Sequence, residues 1–407
     1  MQPIIPLKGT VQHYDWGGSD FIALLLSQSN PEQRPFAELW MGTHKNGTAT
    51  ALLAQQEISL KKLIEQSPET ILGPEVTAYF EGRLPFLFKI LDVRKMLSIQ
   101  AHPTKSSALE GFRLENEKGV PLDAKHRNYK DDNHKPEVMV ALTDFWLLHG
   151  FRSEEAIAEV LAEVAEFKPL RPHFEERNIK ALYQFVMEMP QAQVDQILHP
   201  LRERLEKQTL EGPLAKSSPD YWALQGFQDY TRDGHYDRGI FSIYLFNLVF
   251  IPKGQGIFQA AGIPHAYLEG VNVELMANSD NVFRGGLTPK HIDVPGLMQH
   301  LVFDPIDPAV FQGEQQNEIE TYFPTPAPDF ALWKFAFNEA NGLLAKEAQD
   351  TAFIYIVMKG QIVVSAGEAE LAAKQGDIFM IPAGQTIEIK SSGDSLLFGA
   401  RAGEIPI

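Results

Sequence analysis

Short hydrophobic stretches, interrupted by glycine, proline, asparagine and aspartate, dominate the chain from Gln2 to about Gly150. Examples are Phe86–Leu91, Leu97–His102 and Val138–Leu142. Hydrophobic runs of this length between turn-forming residues are typical of strands in a β-sandwich or β-barrel. We therefore predict a strand-rich first unit, with one short helix over Ile58–Glu65.

Helical periodicity replaces this pattern at about Ser153. Hydrophobic residues recur at helical spacing in three groups, namely Ile157, Val160, Leu161, Val164 and Phe167; Leu182, Phe185, Val186 and Met189; and Val194, Ile197, Leu198, Leu201 and Leu205. Ser153 is a suitable N-cap, since its hydroxyl can accept an N–H of the first turn, and Glu154 and Glu155 favour the same end. The pattern predicts a helical unit over about 152–235 and a return to strands at Phe241–Ile251.

Two later segments resemble each other. Gly256–His265 and Gly376–Gln385 each begin with glycine, continue through hydrophobic residues and reach a turn that contains proline and glycine. Runs rich in β-branched and aromatic residues precede both, as in Ile354–Val364. Such segments are typical of antiparallel barrels. We therefore predict a mainly β protein of two related barrels, with the helices inserted into the first.

Composition narrows the possible partners. The 407 residues include 36 Lys and Arg and 53 Asp and Glu, so the formal net charge is −17. This negative charge repels a phosphate backbone and argues against a nucleic-acid partner.

The absence of cysteine excludes disulfides, thiolate zinc sites and cysteine nucleophiles. No hydrophobic stretch approaches the roughly 20 residues that cross a bilayer, and Met1–Gly18 lacks a signal-peptide core. We expect a cytoplasmic protein without a membrane partner.

Four residues form a candidate metal site: Gln100, His102, Glu137 and His265. Gln100 and His102 are two apart in a strand-like stretch, so they share one face with Ser98, and Lys135 and Glu137 have the same spacing. Two imidazoles, one carboxylate and one amide oxygen suit a divalent cation, foremost Zn²⁺.

Other interpretations of these histidines are open at this point. Two histidines and one glutamate also form the facial triad of non-haem iron oxygenases. Spacing alone does not exclude His126, His134 or His149 as ligands. The chain contains 12 histidines, and a given histidine is more often a surface or hydrogen-bonded structural residue than a metal ligand.

A second candidate cluster lies in the segment Glu274–Lys290, which contains Asp280, Arg284 and Lys290. Glycines follow Arg284 directly, and backbone without a side chain can approach a ligand closely. Arg284 could hold an enediolate or phosphate oxygen, and Lys290 a phosphate. The alternative is a solvated loop with Arg284 in a surface ion pair.

Lys89 is unusual because it lies inside a hydrophobic strand-like segment. If its amine is buried beside anionic groups, we expect a functional role. If its amine reaches water, we expect a structural role.

The motifs together resemble one family, the type I mannose-6-phosphate isomerases of the cupin superfamily. The similar segments, in chain order, are Tyr14–Gly17, Ala37–His44, Leu97–Pro103, Asn133–Glu137, Gly262–Tyr267 and Ser279–Lys290. Motifs in the right order from residue 14 to about 294 make the resemblance specific. It implies a zinc-dependent isomerase that interconverts D-mannose 6-phosphate and D-fructose 6-phosphate through a cis-enediol.

The resemblance also implies roles for single residues. The metal ligands would be Gln100, His102, Glu137 and His265, with one Zn²⁺ per chain. Residues of the substrate pocket would be Trp16, Lys89, Ser98 and Lys290, and catalytic residues would be Arg284, Asp280, Lys135 and Glu274. The last three are all eligible as the base. Because Gln385 stands where the first barrel has His265, we expect no metal in the second barrel.

The implied architecture comprises two cupin (jelly-roll) barrels. The ligand-bearing part of the first barrel would span 1–151, the helical insertion 152–237, the rest of the catalytic barrel 238–310, and the C-terminal barrel 311–407. The expected partner is a small sugar phosphate, and we expect a monomer. Two rival functions are a metal-free sugar-binding cupin and an iron-dependent oxygenase of the same fold.

Overall fold

Residues 2–54 and 56–406 are described by a computed structural model, which is mainly β. The strands are Ile5–Lys8, Thr10–Gln12, Glu38–His44, Gly47–Thr48, Thr50–Leu53, Gln56–Ser59, Phe86–Val93, Ile99–Ala101, Glu137–Ala141, Phe145–Phe151, Phe246–Ile251, Gln255–Gln259, His265–Ala277, Phe283–Gly286, Phe311–Gln312, Glu314–Gln315, Glu320–Phe323, Ala331–Phe337, Leu343–Lys346, Phe353–Lys359, Gln361–Ala366, Ala369–Lys374, Ile378–Ile381, Ile387–Ser391 and Ser395–Arg401. The α-helices are Phe21–Leu25, Leu60–Gln66, Pro68–Leu72, Pro74–Tyr79, Lys105–Glu117, Glu154–Glu163, Ile179–Glu188, Gln191–Glu211, Pro219–Tyr230, Gly239–Leu245 and Val294–His300, and Ala165–Phe174 forms a 3₁₀ helix.

Three sheets contain these strands, and none of them closes on itself within the described residues. A 12-stranded sheet contains the strands that carry the candidate ligands, and its longest strand is His265–Ala277. A nine-stranded sheet and a four-stranded sheet contain most of the C-terminal strands. The strand Ile5–Lys8 pairs with Ile378–Ile381, so the beginning of the chain belongs to the nine-stranded sheet.

The register of the 12-stranded sheet explains why charged side chains meet in its interior. Trp40 lies opposite Lys89, and Lys89 lies opposite Glu274. Glu137 lies opposite Met276, which is two residues beyond Glu274 on the same strand. Because side chains alternate between the two faces of a sheet, positions two residues apart along a strand face the same side. The pairing therefore brings cations and carboxylates from distant segments onto one face.

The helical unit agrees with the sequence pattern at its start. Ser153 caps the helix Glu154–Glu163, and its side chain accepts the N–H of Ala156 at 3.1 Å. The prediction of a strand from Phe241 was wrong, however, because Gly239–Leu245 is a helix and the strand begins at Phe246. Every residue of that helix is buried. A helix that is hydrophobic on all sides has no periodic pattern to distinguish it from a buried strand.

The short helix predicted over Ile58–Glu65 begins two residues later and ends one residue later in the structure. The chain is a strand to Ser59 and a helix from Leu60 to Gln66. The Ser59 side chain accepts the N–H of Lys62 and caps the helix. None of the helices in the described residues is both long and hydrophobic enough to cross a membrane.

The two similar segments correspond in backbone conformation, but the predicted alignment of Gly256 with Gly376 is two residues off, since Gly254 is the residue that matches Gly376. Gly254 and Gly262 have φ angles of 89° and 79°, and Gly376 and Gly384 have 88° and 77°. These positive values favour glycine, because other residues adopt them at a steric cost. The corrected match places Ile387, and not Gln385, at the position of His265. A buried isoleucine offers no ligand atom at that position.

Candidate metal centre and its cavity

Three of the predicted ligands converge. His102 follows the strand Ile99–Ala101, Glu137 begins Glu137–Ala141, and His265 begins His265–Ala277. Their ligand atoms all lie within 4.8 Å of one another, and all three side chains are buried. Gln100, the fourth predicted ligand, lies opposite His265 in the strand register and lines the adjoining cavity.

The tautomers of both histidines follow from their hydrogen bonds. Nδ1 of His102 lies 2.8 Å from the carbonyl oxygen of Asn281, and Nδ1 of His265 lies 2.9 Å from that of Ile263. A carbonyl only accepts, so each Nδ1 carries a proton and each Nε2 is the ring nitrogen that is left for another partner. Both Nε2 atoms are buried and have no hydrogen-bond partner among the described residues.

The two Nε2 atoms face a carboxylate. They lie 3.4 Å and 3.3 Å from the two oxygens of Glu137. Burial, with a smaller effect of Lys135, lowers the pKa of His102 to about 4, so this imidazole is neutral at pH 7. Burial alone would raise the pKa of Glu137, but the charge of Lys135, whose Nζ lies 2.9 Å from Oε1, lowers it well below the usual value, so Glu137 is ionised. Buried imidazole nitrogens without a hydrogen-bond partner, beside an ionised carboxylate, are the donor arrangement that a divalent cation satisfies.

Lys89 is buried between two carboxylates. Its Nζ lies 2.9 Å from Oε1 of Glu274 and 3.6 Å from Oε2 of Glu38. Burial alone would lower the pKa of Lys89, but these carboxylates outweigh it and hold the pKa above the usual value. The amine is therefore held in buried ion pairs and does not reach out to water.

Glu274 is the centre of a buried hydrogen-bond network. Its second oxygen accepts the hydroxyl of Tyr267 at 2.8 Å, and the side-chain amide of Gln259 donates to that hydroxyl at 2.9 Å. Burial raises the pKa of Glu274, although Lys89 and Lys135 oppose the shift. Of the carboxylates predicted to act as a base, Glu274 is the one whose pKa moves toward neutrality.

Asp280 has the opposite electrostatics. Its two oxygens lie 3.0 Å from Nε2 of His44 and 2.9 Å from Nζ of Lys45. Burial alone would raise the pKa of Asp280, but the hydrogen bonds from His44 and Lys45, together with the positive charge of Lys45, hold it far below the usual range. Asp280 is therefore a fixed anion at neutral pH.

Arg284 and Lys290 are cations without an anionic partner. Neither side chain forms an ion pair or hydrogen bond with a protein group among residues 2–54 and 56–406. Burial lowers the pKa of both groups, and Arg284 lowers that of Lys290 further, because the two charges are close. The surface ion pair considered for Arg284 does not occur within the described residues. Two adjacent, partly desolvated cations are instead suited to bind an anion.

One cavity collects the predicted substrate residues. Its volume is about 380 Å³. It is lined by Trp16, Lys89, Ser98, Gln100, Lys135, Glu137, Glu274, Asp280, Arg284 and Lys290, among others. Lys135 lies 2.9 Å from Glu137 Oε1, and Trp16 stacks on Tyr14 with ring centroids 5.8 Å apart. A ligand that enters this space meets cations, carboxylates and aromatic surface together.

The other histidines considered as ligands lie elsewhere in the described part of the chain. His126 is exposed, and His134 forms an ion pair with Asp329 at 2.8 Å. His149 is buried and lies opposite His265 in the register, but it is not a member of the three-residue cluster. Spacing could not separate these histidines from the cluster, because only the pairing of distant strands brings His102 and His265 together with Glu137.

Sequence reasoning missed two polar residues of this site, Glu38 and His44. Both lie on the strand Glu38–His44, where alternate side chains share one face with Trp40. This alternation was a usable signal, because two buried polar residues on one strand face are unusual without partners.

Comparisons with known proteins agree with this arrangement. The family model described as phosphomannose isomerase type I, catalytic domain, matches residues 4–154. The mannose-6-phosphate isomerase of Escherichia coli (strain K12) is 35% identical over 395 residues, which cover 95% of this chain and 97% of that protein. The enzyme of Homo sapiens is 34% identical over 433 residues and covers 98% of both chains.

Solved structures are similar over the whole chain. A mannose 6-phosphate isomerase from Salmonella typhimurium, bound to its substrate F6P and to zinc, superposes with a TM-score of 0.88. It is 34% identical and covers 99% of this chain and 100% of its own. A mannose 6-phosphate isomerase bound with zinc and yttrium gives a TM-score of 0.87 at 34% identity, with the same coverage.

Proposed function

The chain belongs to the type I mannose-6-phosphate isomerase family and is an isomerase of that kind, and on this premise we propose its cofactor, its catalytic residues and its mechanism. The reaction interconverts D-mannose 6-phosphate and D-fructose 6-phosphate, and we assign it a cis-enediol intermediate and a dependence on zinc. The observation that carries the zinc assignment is the convergence, on a buried carboxylate, of two buried imidazole nitrogens that have no hydrogen-bond partner among the described residues.

The residues present fit zinc. His102, Glu137 and His265 supply nitrogen and oxygen donors in a buried cluster, and Gln100 adds an amide oxygen from the facing strand. The backbone carbonyls of Asn281 and Ile263 orient the imidazoles. When bound, the ion supplies Lewis-acid polarisation of the sugar oxygens. Lys135, beside Glu137, keeps that ligand ionised.

Arg284 and Lys290 would receive the negative charge of the substrate and of the intermediate. The guanidinium is fixed and partly desolvated, so it would stabilise an enediolate oxygen more strongly than water does. Lys290 would hold the phosphate as a compact cation. Trp16, Ser98 and Lys89 line the same cavity and would orient the open-chain sugar.

We assign the proton transfer between C2 and C1 to Glu274. A base works best when its pKa is near the working pH, and burial moves the pKa of Glu274 in that direction. The pKa of Asp280 is shifted the opposite way. Lys135 is ion-paired with Glu137 and, as an ammonium, has no lone pair to accept a proton. Asp280 and Lys135 therefore serve positioning and charge.

The base assignment predicts a difference between two amide variants. Glu274→Gln should lower kcat by about 10²–10⁴-fold and abolish deuterium uptake from D₂O into the sugar. Asp280→Asn should retain exchange, because the base remains in place. Mass spectrometry of sugar phosphate incubated in D₂O makes the measurement, with zinc content checked in both proteins. Exchange that survives in Glu274→Gln but vanishes in Asp280→Asn would reverse the assignment.

The function itself is tested by turnover before and after chelation. Purified protein should convert D-mannose 6-phosphate to D-fructose 6-phosphate, lose activity to a chelator and recover it with zinc. A folded, zinc-loaded protein without turnover would favour the sugar-binding alternative. Recovery only with Fe(II), accompanied by oxygen consumption, would favour the oxygenase.

We further propose the domain organisation of the resemblance: a catalytic cupin barrel built from 1–151 and 238–310, a helical insertion over 152–237 and a C-terminal cupin barrel over 311–407. The run of helices from Glu154 to Leu245 between strands of one sheet supports the insertion. We also propose one zinc per chain, a monomer and a cytoplasmic location. Light scattering with metal analysis tests the first two.

A further inference from the structure

The strand Glu38–His44 ends beside Asp280, where Nε2 of His44 lies 3.0 Å from Oδ1 of the aspartate. Side chains alternate along a strand, so Glu38 and His44 face the same side. Glu38 contacts Lys89, and His44 reaches along the cavity wall to Asp280. One strand therefore holds two of the charged groups of the cavity at their positions.

The tautomer of His44 is set by a backbone group. The N–H of Asn46 donates to Nδ1 of His44 at 3.2 Å, so Nδ1 keeps its lone pair and the ring proton is on Nε2. That proton is donated to Oδ1 of Asp280 across 3.0 Å. The ring is 5% exposed and stands edge-on to Trp40, with centroids 4.9 Å apart. Packing and hydrogen bonding together fix the donor.

Asp280 is held at three points. His44 binds one carboxylate oxygen, Lys45 binds the other, and the backbone N–H of Asp280 donates to Asp131 at 2.8 Å. Lys45 is 53% exposed, so water and salt weaken its contribution. His44 is shielded from water and is the stronger restraint.

We propose that His44 is a positioning residue of the isomerase, which holds the Asp280 carboxylate in one orientation beside the cavity that Arg284 lines. A carboxylate that is already oriented can accept a sugar hydroxyl without reorganising during the reaction. The kinetic consequence of this role rests on the proposed function.

Two substitutions separate the hydrogen bond from packing. His44→Phe keeps a ring against Trp40 but removes the donor, and should lower kcat by about 10–100-fold with a smaller change in KM. His44→Gln retains an N–H donor at similar reach and should recover most of that loss. Lys45→Met should change kcat by less than about fivefold, because its pair is exposed. All three should bind zinc as the wild type does.

A double-mutant cycle with Asp280→Asn decides whether His44 acts through Asp280. The double variant His44→Phe, Asp280→Asn should be no slower than Asp280→Asn alone. If the losses in kcat of the two single variants multiply in the double variant, the proposal is overturned. A His44→Gln variant as slow as His44→Phe would also overturn it.

Urea unfolding of the four proteins of this cycle, namely the wild type, the two single variants and the double variant, tests the contact without measuring turnover. Coupling between the two substitutions in the free energy of unfolding supports the His44–Asp280 hydrogen bond. An inactive wild type that shows this coupling would refute the proposed function but keep the contact. Independent effects in both the kinetic and the unfolding cycles would refute the positioning role itself.

Discussion

Replacing His102 or His265 by alanine will remove both bound zinc and turnover. Partners outside the ligand shell are worth about 10–100-fold in metal affinity, so the loss of a ligand should cost more than about 100-fold. Each imidazole supplies one buried nitrogen facing Glu137, and no third histidine of the described residues belongs to the cluster to replace a lost one. Metal analysis after gel filtration, together with a coupled assay of fructose 6-phosphate, makes the measurement.

A readout that needs no activity accompanies this prediction. Zinc should raise the thermal unfolding temperature of the wild type, because it binds the folded state, and should leave the alanine variants unchanged. His126→Ala is the matched control, since His126 is exposed and outside the cluster. Stoichiometric zinc in His102→Ala or His265→Ala would show that the ligand assignment is wrong.

Arg284→Ala should lower kcat by about 10²–10³-fold while zinc remains bound. The guanidinium has no protein anion beside it in residues 2–54 and 56–406, so its charge is available to the oxygen that becomes negative in the transition state. Arg284→Lys should recover only part of the rate, because lysine lacks the planar two-pronged donor. Steady-state kinetics with metal analysis tests both variants.

The control for this experiment is Arg113→Ala. Arg113 is exposed on the helix Lys105–Glu117 and pairs with Glu110 and Glu117, so its removal should leave the kinetics unchanged. A rise in KM with kcat preserved in Arg284→Ala would assign Arg284 to the phosphate. The transition-state role would then have to be sought in another cation of the cavity, with Lys290 the first to test.

Local patterns were enough for much of the chemistry. The spacing of two residues grouped Lys135 with Glu137, and their charged atoms lie 2.9 Å apart. The grouping of Gln100 with His102 by the same spacing stays a prediction, since His102 follows the strand Ile99–Ala101. Helical spacing and a capping serine likewise located the first helix after Ser153. The ordered motifs identified the family, and the comparisons confirm it.

Interactions between distant segments were beyond these patterns. Nothing local shows that Lys89 lies between Glu38 and Glu274, or that His44 holds Asp280, since these contacts depend on which strands pair and in which register. Burial raises the pKa of Glu274 although Lys89 opposes the shift, whereas the contacts of Asp280 with His44 and Lys45 outweigh burial and lower its pKa. A choice between them as the base therefore required the folded environment.

The sequence by itself determined the mainly β character, the helical unit, the family and three candidate metal ligands that the structure brings together. Only the tertiary structure decided the tautomers of His102 and His265, the pairing of Ile5–Lys8 with the C-terminal strand Ile378–Ile381 and the helical state of Gly239–Leu245. The physical reason is the separation along the chain over which each kind of interaction acts. Periodicity and capping act within a few residues, whereas strand register, burial and the electric field at a side chain arise from groups far apart along the chain.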